Sequence, residues 1–120
     1  MHSDDFVEKL RENLLIDYVQ TYREIYESTQ IDNKIEKDPY WFSVLSFYNS
    51  LKENEKDVLF KIIQQTVVDT TSNILGIIDG PVYLEGFNGD FSLSYQEGKD
   101  QEVILNGDLQ DSFLSIVHTK

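Results

Sequence analysis

From Asp5 to about Glu27, apolar side chains recur every three or four residues: Phe6, Val7, Leu10, Leu14, Leu15, Tyr18, Val19, Tyr22, Ile25 and Tyr26. That spacing lays a single stripe along a helix, and Asp4 and Asp5 suit the positive end of its dipole. The period is lost over 28–37, STQIDNKIEK, which reads as a connection. Asp38-Pro39 then starts a second helix running to about Lys52, because Asp accepts the free amide protons of a first turn and Pro fixes φ there. Tyr40, Trp41, Phe42, Val44, Leu45, Phe47, Tyr48 and Leu51 make this helix apolar on more than one side. Such a helix belongs near the centre of the fold, its aromatic cluster in the core.

With Asn54 as cap, a third helix runs from about Glu55 to Ile78, carrying Leu59, Ile62, Ile63, Val67, Thr70, Ile74 and Ile77 on one face. Gly80 can close it in the left-handed conformation and Pro81 bars its continuation. The polar residues Asp69, Ser72 and Asn73 fall beside or opposite this stripe, as a solvated helix side should.

After Pro81 the period changes to two. VYLEGF and DFSLSY flank Asn88-Gly89, a dipeptide suited to a two-residue hairpin turn because both residues tolerate positive φ. That turn pairs Phe87 with Asp90, Gly86 with Phe91, Leu84 with Leu93 and Val82 with Tyr95, and it leaves one face apolar or glycine. Gly98-Lys99-Asp100 leads to a third strand, Glu102 to Asn106, opposing Tyr95 to Val103 and Leu93 to Leu105. Asn106-Gly107-Asp108 turns into a last helix, with Asp108 as cap and Leu109, Phe113, Ile116 and Val117 inward. The repeated Asn-Gly-Asp is turn chemistry, since its flanks differ. The expected fold is therefore α+β, with three N-terminal helices, a three-stranded antiparallel meander and a C-terminal helix, the helices packed on one face of the sheet.

At 120 residues, 40% hydrophobic and 12% aromatic, the chain fits a single domain over 1–120. The absence of cysteine removes disulfides, thiolate catalysis and thiolate metal sites. The acidic, amphipathic start lacks the pattern of a secretory signal, and the default compartment is cytoplasmic. Charge sharpens the picture: 22 acidic against 10 basic residues give −12. Residues 1–61 contribute 8 − 13 = −5 and residues 62–120 contribute 2 − 9 = −7. Nucleic-acid binding rests on Lys and Arg neutralising phosphates, so this balance argues against it, and against an anionic membrane surface. A basic protein would be steered toward the chain.

Candidate chemistry is sparse. His2 and His118 stand at the two ends without an orienting partner, and no metal or cofactor is expected. Glycine-rich phosphate loops and the GxSxG serine context are absent. Asp69, Asn73 and Asp79, or Glu85, Asp90 and Ser92, could bring oxygens together, although neither set has calcium-loop spacing. Tyr83 and Phe87 are more informative, because the hairpin register turns them outward beside Glu85 and Asp90. Aromatics among acids resemble a protein contact surface.

The reading drawn from these features is a non-catalytic, acidic interaction domain, for example an inhibitor or immunity-type protein binding a basic partner. Its surface is Asp79, Tyr83, Glu85, Phe87 and Asp90. Two alternatives stand beside it: a small enzyme or ligand-binding domain with a carboxylate-lined site between helices and sheet, and a structural subunit of a homodimer or larger homo-oligomer.

Overall fold

The computed structural model describes residues 2–117; the candidate His118 lies outside them. The chain begins as one unbroken helical rod in three parts: α1 (Ser3–Leu10), a π-helical segment (Arg11–Tyr18) and α2 (Val19–Ser28). Its bounds agree with the stripe. The π segment leaves no mark in the sequence but has a clear consequence. At 3.6 residues per turn, Val7 and Val19 would point about 120° apart. The wider π turns, closed by i→i+5 bonds, take up part of that rotation. Both valines are buried, one in each of two cores.

The connection 28–37 holds a one-turn helix, α3 (Asn33–Glu36), where Asp32 Oδ1 accepts from the Ile35 amide at 2.9 Å. Helix α4 (Pro39–Asn49) starts as expected, with Asp38 Oδ1 accepting from the amides of Tyr40 and Trp41 at 3.1 and 3.2 Å. Helix α5 (Glu53–Asp79) begins one residue before Asn54. There Glu55, not Asn54, closes the start, its carboxylate accepting from the Lys52 amide at 2.7 Å. Gly80 closes the other end at φ 110°, as read from the sequence. Helix α6 (Leu109–Val117) completes the helical set.

The sheet departs from expectation. The protein is 66% helical, and its only strands among the described residues are β1 (Ser94–Tyr95) and β2 (Val103–Ile104), an antiparallel ribbon. The expected α+β fold, three N-terminal helices and a C-terminal helix packed on one face of a three-stranded meander, is therefore corrected to a mainly helical fold with a two-residue ribbon. Among the described residues no sheet face is broad enough for helices to cover, and an extra one-turn helix, α3, stands in the expected connection. The register of that ribbon agrees with the sequence reading: Tyr95 opposes Val103, and the Leu105 amide donates to Leu93 O at 2.8 Å.

What fails is the first strand. Asn88-Gly89 makes no hairpin. The chain turns earlier, at Glu85-Gly86, where the Phe87 amide donates to Leu84 O at 3.2 Å and Gly86 has φ 91°. Positive φ at the third position is what a type II turn asks of glycine. Upstream, the Val82 amide donates to Gly76 O at 3.2 Å, so the segment is held across the end of α5 before pairing can start.

Two cores result. The first gathers Val7, Val68, Leu75, Leu109 and Phe113, with Phe6, Leu10, Leu93 and Val117 among the side chains packed on it. The second holds Val19, Tyr48 and Phe60, flanked by Tyr26, Leu59 and Val67. Helix α5 joins them, and its inner face differs from the predicted stripe. Phe60, Val68, Ser72, Leu75 and Gly76 are buried, whereas Ile62, Thr70 and Ile74 are exposed. Helix α4 also corrects the reading: Leu45 and Tyr48 are buried, but Tyr40, Phe42 and Phe47 face outward, so the helix lies at the periphery. The molecule is elongated, 52 × 35 × 32 Å. Its Cα radius of gyration is 18.5 Å, against about 14 Å for a compact domain of this length.

Ions seal the second core. Arg23 lies 5.0 Å from the Phe60 ring centroid and pairs with Asp57 at 2.5 Å. Lys56 lies 4.7 Å from the Tyr48 ring and pairs with Glu53 at 3.3 Å. Tyr48 donates its hydroxyl proton to Glu27. Burial first, and this bond second, push the Tyr48 phenol well above its ordinary 10.0. The unfolded chain releases that proton near pH 10 while the folded chain keeps it. Stability contributed below that pH should be lost as pH rises toward the folded value, by up to about 1.4 kcal/mol per pH unit for this group. In urea unfolding from about pH 8 to about pH 11, Tyr48→Phe should fall less steeply than wild type. Parallel profiles would show that Tyr48 does not carry the slope.

Candidate functional site

The region after α5 has little secondary structure of its own, so side chains from elsewhere hold it. Asn106 is the main one. Its Nδ2 donates to Ile78 O at 3.2 Å and to Phe91 O at 3.0 Å, while its Oδ1 accepts from the Leu93 amide at 2.7 Å. One amide thus ties the end of α5 to the loop. Asp79 works beside it: Oδ1 accepts from the Gly107 amide at 2.7 Å and Oδ2 from the Gln110 amide at 2.8 Å. A carboxylate on free amides at a helix start satisfies donors that the helix itself cannot. Asp79, from 30 residues upstream, therefore does the capping expected of Asp108.

Between α5 and α6 the contact is close. Gly76 is buried, and a Cβ placed there would lie 2.4 Å from Val82 Cγ2 and 2.7 Å from Gln110 Nε2. Gln110 Nε2 also donates to the hydroxyl of Ser72 at 3.3 Å. Ser72 belongs to the buried contact, contrary to its expected place on the solvated side. Asp69 and Asn73 are exposed as expected, Asp69 accepting from Gln65 at 2.9 Å.

Over this frame the loop encloses a cleft of about 210 Å³. Its walls include Ile77, Asp79, Tyr83, Leu84, Phe87, Asp90, Phe91 and Asn106. Four of the five candidate residues, Asp79, Tyr83, Phe87 and Asp90, line it, while Glu85 stands outside in the exposed turn. Tyr83 is 72% and Phe87 56% exposed. They face solvent as expected, but not for the reason given, because no hairpin sorts the two faces. Leu84 and Phe91, assigned to the covered face, are exposed as well. The rings of Phe87 and Phe91 touch, with centroids 5.8 Å apart and planes at 44°.

Among the described residues, every charged one lining the cleft is a carboxylate, Asp79 or Asp90. Asp79 has its two oxygens engaged by backbone amides. Asp90 and Glu85 have no partner among the described residues. Among the described residues lining the cleft there is no histidine, serine or threonine that could act as base or nucleophile. Among the described residues no group of three or more His, Cys, Asp or Glu is placed to hold a metal ion. His2 is exposed at the start of α1, its amide donating to Asp5 at 3.1 Å.

Sequence reasoning missed Asn106, Gly76, Ser72 and Gln110. An Asn-Gly step before a helix reads as a turn, and nothing local shows that its amide reaches across to α5. The glycine inside ILGII was the one available signal, since an interior helical glycine often marks a close approach. No helix among the described residues is long and apolar enough to cross a membrane. No protein-family model, no curated protein and no solved structure matches the chain.

Proposed function

We propose that the protein is a non-catalytic interaction domain that docks a basic partner protein at the cleft after α5, as an inhibitor or immunity-type protein would. The observation that carries the reading is the cleft's composition. Four exposed apolar side chains, Tyr83, Leu84, Phe87 and Phe91, border a hollow whose charged groups are carboxylates. A Lys or Arg side chain suits such a place: its cation meets Asp90, its stem lies on apolar walls, and a guanidinium can stack on a ring. The charge of −7 over residues 62–120 extends the attraction beyond contact distance. Phosphate-bearing partners meet the same field with the wrong sign. A cytoplasmic setting suits a chain that folds without disulfides.

Within the surface the roles divide. Phe87 and Tyr83 are the anchors, Asp90 and Glu85 the charges that meet a cation, and Asp79 holds the cleft's shape. The test is affinity capture from the native cell with wild type, Glu85→Lys/Asp90→Lys and Phe87→Ala as baits. Wild type should retain a basic protein that elutes as salt is raised from about 50 to about 500 mM. Removing an aromatic anchor typically costs 2 kcal/mol or more, so Phe87→Ala should weaken binding at least ~30-fold. The double charge reversal should slow association and weaken the salt dependence. A retained partner that is itself acidic, or that binds all three baits equally, would end this reading.

A further inference from the structure

The chain exposes 8708 Å². A compact monomer of 14.0 kDa exposes about 6,700 Å² by the scaling of surface with mass. The difference is about 2,000 Å², within the range that each chain of a stable homodimer hides. The molecule also has a face fit to use it. Over residues 62–78 of α5, the stretch before its final residue Asp79, Asp69 alone is charged, in a protein with 27% charged residues. Ile62, Thr66, Thr70 and Ile74 follow one another at steps of four along this stretch, and all are exposed, Ile62 at 59% and Ile74 at 53%. Beside this ridge lies a groove of about 330 Å³ lined by Leu14, Tyr18, Thr66, Val67, Thr70 and Thr71, none of the described lining residues being charged. The π-helical segment forms its far wall through Leu14 and Tyr18.

We propose that this face is a homodimer interface, in which α5 of one copy crosses α5 of a second antiparallel to it. The ridge reads Ile-Thr-Thr-Ile and is symmetric about position 68. An antiparallel crossing brings Ile62 of one copy onto Ile74 of the other and Thr66 onto Thr70, and exchanging the copies restores the same contacts, as a two-fold interface requires. Ridges at i±4 are the surfaces helices commonly pack together, and small Thr side chains at the centre let the axes approach. A basic partner has little to recognise here, because the ridge offers it only the flanking Asp69. A second copy fits by shape and lack of charge.

This interface is separate from the docking cleft, and salt distinguishes the two. Two chains of −12 repel, so added salt strengthens the dimer, whereas it weakens docking of a basic protein. In sedimentation velocity, wild type should run at 28.0 kDa, twice 14.0. Ile62→Glu/Ile74→Glu should run as a monomer, with a dissociation constant raised at least ~100-fold and an unchanged circular dichroism spectrum, both side chains being exposed. Tyr83→Ser/Phe87→Ser should remain dimeric. A second variant uses the absence of cysteine. In Ile62→Cys/Ile74→Cys the two thiols of one chain are about 18 Å apart along the helix, too far for an internal disulfide. Mild oxidation should therefore give a covalent dimer. Wild type running as a monomer at about 100 µM, a dimer untouched by the Glu pair, a monomer from the loop pair, or no cross-link would each overturn the proposal.

Discussion

Phe113→Ala should remove most of the protein's stability. Phe113 is 0% exposed and closes the first core together with Val7, Val68, Leu75 and Leu109. Truncating a fully buried Phe costs about 3–5 kcal/mol, because apolar area is lost and the cavity left behind only partly collapses. A small domain has about 5–15 kcal/mol in total, and here the apolar interior is divided between two clusters. The midpoint of thermal unfolding should fall by well over 10 °C. The comparison that gives the number meaning is Phe47→Ala. Phe47 is mostly exposed on α4, and its removal should change stability by less than about 0.5 kcal/mol. Equal losses from the two variants in urea unfolding would show that α6 does not close the core as described.

Asn106→Ala should have the second largest effect, and on a different part of the molecule. Its amide makes three hydrogen bonds, to Ile78 O, Phe91 O and the Leu93 amide. With no strand ladder over 82–91, these bonds do what cross-strand pairing was expected to do. Each is worth roughly 0.5–1.5 kcal/mol net, and part-buried groups left unpaired cost more, so the total loss should be about 2–3 kcal/mol. Asn106→Asp keeps the shape and the acceptor for the Leu93 amide but sets an anionic oxygen against the Ile78 and Phe91 carbonyls, and at neutral pH should lose at least as much as Ala. Hydrogen exchange supplies the second reading: the Leu93 amide should exchange at least ~10-fold faster in Asn106→Ala, while amides in the α2 and α4 region stay protected. A global loss without that local change would mean that Asn106 serves the fold as a whole and not the loop.

Both effects arise at places the sequence disclosed unevenly. Leu109 and Phe113 were legible as the inner side of a helix, because the spacing that puts them on one face is local. Asp38-Pro39 and Gly80-Pro81 were legible for the same reason: a cap or a stop is chemistry between neighbours. The inner face of α5 was read incorrectly. Its apolar residues occupy more of the surface than its partners cover, so periodicity offered Ile62 and Ile74 as core, when packing against α1 and α6 selected Val68 and Leu75 and packing against α2 and α4 selected Phe60. The Asn88-Gly89 hairpin failed for a related reason. A turn dipeptide expresses a local preference, and it lost to the long-range bonds of Asn106, the tie of Val82 back to Gly76 and a competing turn at Glu85-Gly86.

For the candidate site the division is the same. Aromatic and acidic residues gathered in one segment were visible, and the cleft brings Asp79, Tyr83, Phe87 and Asp90 together. The distinct role of Asp79 was not visible, since the amides it caps lie about 30 positions away.

By itself, then, the sequence determined the start of α4 at Asp38-Pro39, the end of α5 at Gly80, the register of Tyr95 against Val103, the charge of −12 and the absence of thiol chemistry. Each depends on residue identity or on neighbours within a few positions. Tertiary structure alone decided which face of α5 is buried, that a π segment lies between the two cores, and that a side-chain amide replaces a strand. Those outcomes compare competing arrangements of the whole chain, and the balance among them is set by contacts between residues far apart in sequence.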